Sequence, residues 1–186
     1  MGALSDGFDS VCAVTITPDT KDWTWVLRRA CPECGFDTRS IARDDIGSLV
    51  RSNAASWVDV LAARPDVRER PRPGVWSPLE YACHVRDASR LYTERLRLML
   101  TADGPEFANW DQDVTAVEQS YGAQDPATVS VDLRSAALAL GDAFDAVTDD
   151  QWTRTGRRSD GAEFTVESFG RYYVHDPIHH LWDVAR

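Results

Sequence analysis

Apolar positions follow a helical period in four separate stretches of the chain. Ile41, Ile46, Leu49, Val50, Trp57, Val60 and Leu61 recur at threes and fours up to about Arg64, with Asp37 or Thr38 placed to cap the first free amides. Pro65 ends this run, and three prolines with dense charge make residues 65–74 a loop. Ser77-Pro78-Leu79-Glu80 is a start signal. Serine caps, proline fits the first helical position, and glutamate reaches back to the cap amide. The helix that follows extends through Cys83, His84, Leu91 and Leu98 to about Ala102. Asp125-Pro126 repeats the cap-then-proline signal for a third helix ending near Thr148, and Thr165 caps a fourth that contains Val166, Phe169, Tyr173, Ile178 and Leu181. Pro177 falls inside this last helix and is expected to bend it. Four long helices without an internal repeat predict an all-α domain, a four-helix bundle.

The remaining segments are less regular. Thr15, Thr17, Pro18 and the Trp23-Thr24-Trp25 alternation give residues 1–34 extended or irregular character, so an N-terminal arm over 1–37 is expected to wrap a bundle over 38–186. Residues 103–124 are acidic, aromatic and poorly periodic, a long connection with room for a short helix and placed to cover a site. Residues 149–163, with Gly156 and Gly161, read as a hairpin or an irregular crossing.

Charge narrows the set of partners. Thirty acidic against 20 basic residues leave a formal charge of −10, which provides no electrostatic footprint for nucleic acid or an anionic membrane. The apolar runs are too short to span a bilayer, and the first residues lack a basic-then-apolar leader, so a cytoplasmic protein is expected. Four cysteines, Cys12, Cys31, Cys34 and Cys83, are too few for a disulfide scaffold. The spacing Cys31-Pro32-Glu33-Cys34 admits a shared metal or a redox pair, and equally a turn carrying two semi-buried thiols.

The four histidines are the main chemical signal, since His175, His179 and His180 fall within six residues and His84 lies on the second helix. His175 and His179 are four apart and leave the same helical face, where they can chelate one ion. A facing helix in a bundle can add His84, leaving an open coordination position of the catalytic kind. The bend at Pro177 leaves open whether His179 or His180 faces inward, with His179 preferred. Asp87, three residues after His84, and Asp176, beside His175, are candidates to orient ring nitrogens from behind the ligands, as is His180. Trp110 in the long connection and Trp182 beside the histidines are candidates to line a pocket.

Two segments, Pro78-Leu79-Glu80-Tyr81-Ala82-Cys83-His84-Val85-Arg86-Asp87 and His175-Asp176-Pro177-Ile178-His179-His180-Leu181-Trp182-Asp183-Val184, resemble the paired signatures of the DinB/YfiT-like superfamily of metalloenzymes. The resemblance covers roughly residues 38–186. It implies a four-helix bundle in which a histidine of the second helix and a His-x3-His of the last converge on one divalent metal, here His84, His175 and His179. Zinc suits such a set best, with nickel or iron as alternatives. The resemblance further implies thiol chemistry of the kind found in mycothiol-dependent maleylpyruvate isomerases and bacillithiol S-transferases, with mycothiol as a co-substrate. The arm bearing Cys31 and Cys34 is not required by the minimal family pattern.

These readings define three functions. The first is a metal-dependent thiol S-transferase or isomerase acting on an electrophilic small molecule, with Arg86, Arg90 and Arg171 nearest in sequence to the ligands. The second is a metal-water enzyme on a biosynthetic intermediate, with no thiol. The third is a non-catalytic binding or stress module. The outer bundle faces leave room for a homodimer. No glycine-rich nucleotide loop and no Gly-x-Ser-x-Gly elbow is present.

Overall fold

The computed structural model describes residue 16 and residues 22–186, so Cys12 and most of the expected arm lie outside the described residues. Five helices dominate: α1 (Ile46–Ala63), α2 (Pro78–Thr101), α3 (Gln112–Glu118), α4 (Pro126–Asp145) and α5 (Val166–Val184). The four long ones form the bundle, and α3 is the short helix of the long connection.

Helix starts follow local capping chemistry. Ser77 Oγ accepts the Glu80 amide while the Glu80 carboxylate accepts the Ser77 amide at 2.8 Å, a complete capping box at the head of α2. Asp125 accepts the Thr128 amide at α4, and Thr165 accepts the Ser168 amide at α5. The first helix differs from expectation, because α1 begins at Ile46 rather than beside Thr38. Asp37 does cap, but it caps a single 3-10 turn, Thr38–Ser40, and a second such turn, Arg43–Asp45, precedes α1. The cause is a tertiary contact: the buried Thr38 hydroxyl donates to the Val26 carbonyl at 2.6 Å and ties this stretch to the preceding segment. Trp23–Leu27 also forms a 3-10 turn instead of extended chain, nucleated by Asp22, which accepts the Thr24 amide. Helix α5 continues through Pro177.

A three-stranded sheet closes one end of the bundle. Strand β1 (Glu106–Phe107) pairs in parallel with β2 (Thr155–Arg158), and β2 pairs antiparallel with β3 (Glu163–Thr165) in the register Gly156 opposite Phe164. The 149–163 segment thus contains the hairpin. Arg154 crosses from it to donate to the Met99 and Ala102 carbonyls, capping the end of α2.

The core is built from inward faces of all four long helices, including Trp57, Leu79, Leu96, Leu133, Leu140, Phe144, Phe169 and Tyr173. Helices α1 and α4 cross closely at Gly47 and Gly141. A Cβ on Gly47 would stand 2.7 Å from the Gly141 carbonyl oxygen, so this contact requires a residue without a side chain. On the other side Ser89 Oγ and Tyr173 Oη lie 2.7 Å apart in the interior and link α2 to α5. No described helix is long and apolar enough to cross a membrane.

Candidate metal centre

The site is organised by the rotation of α5. Residues 175 and 179 lie on one stripe of this helix, and 176 and 180 on the next, about 100° round. The first stripe faces the segment before α1. The second faces α2.

On the second stripe, one ligand atom each from His84, Asp176 and His180 lie within 4.8 Å of one another. His84 Nε2 stands 3.1 Å from Asp176 Oδ2, and His180 Nε2 stands 3.4 Å from Asp176 Oδ1. The His180 Nδ1 position is 3.2 Å from Asp183 Oδ2. With Nδ1 donating to that carboxylate, it is the Nε2 proton that must leave for the ring to ligate a cation. That Nε2 is buried and faces Asp176 Oδ1 without an aligned hydrogen bond. His84 is held between aromatic rings, stacked on Trp110 with 5.3 Å between centroids and also 5.3 Å from Trp76. Its Nδ1 is buried without a hydrogen-bond partner. Two nitrogens and a carboxylate oxygen, one of them an orphan, fit a divalent cation.

Burial alone would lower the His180 pKa, but the Asp176 charge and hydrogen bonds to Asp176 and Asp183 push it up to about 9. Enclosure by protein opposes the Asp176 charge, yet His180 and His84 hold its carboxyl well below the usual range. Its side chain remains 39% exposed, so the cluster opens on one side. That side is the floor of a cleft of about 1490 Å³, whose walls include Arg72, Trp76, Trp110, Arg158 and Tyr172.

On the first stripe, His175 and His179 meet Cys31 and Cys34, again with one ligand atom each within 4.8 Å. Cys31 Sγ lies 3.7 Å from His179 Nδ1, and Cys34 Sγ lies 3.7 Å from His175 Nε2. Burial, together with the neighbouring His179, drives the His175 pKa down to about 4. Burial pushes the Cys34 thiol up to about 11, against the Phe36 amide, which favours its thiolate.

The expected set of His84, His175 and His179 is therefore divided between two places. His84 joins Asp176 and His180, while His175 and His179 face the cysteine turn. Both pairs on α5 are four residues apart, so spacing alone does not choose between them; the rotation of the helix does. Asp176 and His180, expected behind the ligands, stand in the first cluster itself. Asp87 makes no hydrogen bond to an imidazole. It accepts from Arg86 at 2.8 Å and from Tyr121 at 2.7 Å in a separate buried network. Arg86 is buried there, Arg90 pairs with Asp132, and Arg171 donates to the Ile41 carbonyl, so none of these three arginines lines the cleft. Trp110 does line it, whereas Trp182 packs 5.3 Å from the His179 ring.

Residues 47–184 match the DinB superfamily, and the chain belongs to that family. Among solved structures it is similar to YfiT from Bacillus subtilis, at 20% identity over 79% of this chain and 89% of that one, with a TM-score of 0.70. YfiT is described as a probable metal-dependent hydrolase with an unusual four-helix bundle topology, and the four-helix fold is shared. No curated protein matches the chain.

Proposed function

We propose that the protein is a metal-dependent enzyme acting on a small molecule, with His84, Asp176 and His180 as the ligands of one divalent ion, zinc by preference. The observation that carries this reading is the three-atom cluster beside the cleft, in which Asp176 and His180 line the cleft and His84 is buried behind them. Three protein ligands leave a position for a reactant. Two imidazoles and a carboxylate also admit nickel or iron.

The reaction we propose is S-transfer or isomerisation through a low-molecular-weight thiol of the mycothiol type. A divalent ion held there supplies Lewis acidity that keeps a thiol deprotonated near neutral pH. The chain does the rest. Asp183 orients His180, Trp76 and Trp110 hold the His84 ring, and Arg72 and Arg158 offer hydrogen bonds and charge to polar groups of the thiol or its acceptor. In the transfer, the sulfur forms a bond to an electrophilic carbon, the leaving group departs with its electron pair, and the thiol proton passes to solvent. In the isomerisation, the sulfur adds, the carbon skeleton rotates, and elimination returns the thiol.

A second reading, in which water takes the place of the thiol, is favoured by the carboxylate in the ligand set. Histidine-histidine-carboxylate sets are used by hydrolytic zinc enzymes, and the similar structure of YfiT is described as a probable hydrolase. Metal-loaded protein assayed with an electrophile, with and without mycothiol, separates the two. Turnover that requires thiol and disappears in Asp176→Asn supports the first, whereas thiol-independent hydrolysis with the same mutational loss supports the second. Turnover unaffected by Asp176→Asn contradicts both.

A further inference from the structure

We infer that Cys31, Cys34, His175 and His179 form a second metal site, closed and structural, which takes zinc and fastens the segment before α1 to α5. This site is distinct from the open cluster at His84 and stands whether or not that cluster is catalytic.

The first argument is metric. Zinc bonds of about 2.3 Å to sulfur and 2.0–2.1 Å to nitrogen, at tetrahedral angles, place each sulfur about 3.5 Å from each nitrogen. Two of the four sulfur-to-nitrogen separations, Cys31 to His179 and Cys34 to His175, are both 3.7 Å. All four ligand atoms lie within 4.8 Å of one another, close enough to draw in around one ion.

The local chain is shaped to bring the two sulfurs together. The Gly35 amide donates to the Cys31 carbonyl and the Cys31 amide to the Phe36 carbonyl, both at 2.9 Å, which folds the turn back on itself. Gly35 has φ of +75°, a left-handed conformation that glycine adopts at little cost. Both histidines come from one face of α5, one turn apart. His179 turns Nδ1 toward Cys31, and its Nε2 lies 3.7 Å from Asp183 and 3.8 Å from Glu33, carboxylates placed to polarise the ring from behind. Trp23 lies against both rings, 5.6 Å from His175 and 5.1 Å from His179, where all three side chains border the cleft.

A disulfide accounts for less. It would use the two cysteines and leave two enclosed imidazoles facing it without a function, and the cysteines of this turn are reduced thiols here. Two thiolates and two neutral imidazoles around Zn²⁺ leave no net charge to bury, which suits a cluster whose Cys31 is 1% exposed. With four protein ligands the site has no position for a reactant, so its role is mechanical. It cross-links positions more than 140 residues apart and fixes Trp23 and Thr24, which line the cleft.

Metal analysis of untagged protein tests this. The expected content is about two zinc ions per chain, falling to about one in Cys31→Ser/Cys34→Ser and, independently, to about one in His84→Ala/His180→Ala. Cobalt-substituted protein is expected to show thiolate-to-metal charge transfer that survives in His84→Ala/His180→Ala. If the cysteine variant fails to fold, the native protein still decides the matter. Modification of its thiols under native conditions should release one zinc ion together with two newly reactive cysteines. One ion per chain that the histidine variant abolishes and thiol modification leaves in place would overturn the inference. So would two thiols missing from the native protein and recovered by reductant alone, which would mark a disulfide.

Discussion

His179 and His180 are neighbours in sequence whose rings lie 6.1 Å apart at 75° and serve different clusters. His179 points Nδ1 at Cys31, and His180 points Nδ1 at Asp183. Substitutions at the two positions are therefore expected to have separable effects. His180→Ala should abolish turnover while the fold persists. His179→Ala should lower thermal stability and loosen the segment around Trp23, with a smaller loss of activity. Hydrogen exchange of residues 22–37 alongside turnover reads both quantities, and identical profiles for the two variants would contradict the division.

Asp183 touches both sites, at 3.2 Å from His180 and 3.7 Å from His179. Asp183→Asn keeps the shape but weakens the acceptor. Loss of such an outer carboxylate typically costs roughly 10–100-fold in metal affinity. Competition against a chelator should show that weakening for both ions, with the larger effect on the ion at His180, where the contact is a hydrogen bond.

The crossing of α1 and α4 predicts a cost at Gly47. Alanine is the better helix former by about 1 kcal/mol, but a methyl group here would press on the Gly141 carbonyl at 2.7 Å, and backbone cannot yield as a side chain can. Overpacking of this kind costs about 1–3 kcal/mol, so Gly47→Ala should be net destabilising in denaturant unfolding. A stabilised variant would show that the helices slide apart at little cost.

Acid stability should depend on the carboxylate at the head of α2. Burial opposes the Glu80 charge, but Arg70 at 2.5 Å and the Ser77 groups hold its pKa below the usual 4.5. A carboxyl depressed in the folded state contributes stability that is full above its unfolded pKa and is lost as pH falls through the folded value. Unfolding free energy should therefore decline below about pH 4.5, and the decline should be shallower in Glu80→Gln. That variant should also be less stable at neutral pH by about 1–2 kcal/mol, from loss of the charged hydrogen bonds.

The helix heads at Ser77, Asp125 and Thr165 were legible because a cap is a local device, complete within four residues. The start of α1 was not, since the contact that delays it joins Thr38 to Val26 across a turn that periodicity does not register. The chemistry of the histidine cluster was legible in its residue types. Its partition was not, because His175 with His179 and Asp176 with His180 have the same spacing and only the rotation of α5 tells them apart. One signal for that partition was present: Cys31-Pro32-Glu33-Cys34-Gly35 offers two thiols and a His-x3-His two imidazoles, the complement of a closed tetrahedral site. More than 140 intervening residues hid the pairing, which requires the folded arm to bring the two halves together.

The most direct test of the metal centre is an anomalous difference map from crystals of the metal-loaded protein. The account predicts a peak between His84 Nε2, the Asp176 carboxylate and His180 Nε2, open to the cleft, and another within the Cys31, Cys34, His175 and His179 cluster. A map with no density at His84, or one in which His84 shares an ion with His175 and His179, would contradict it.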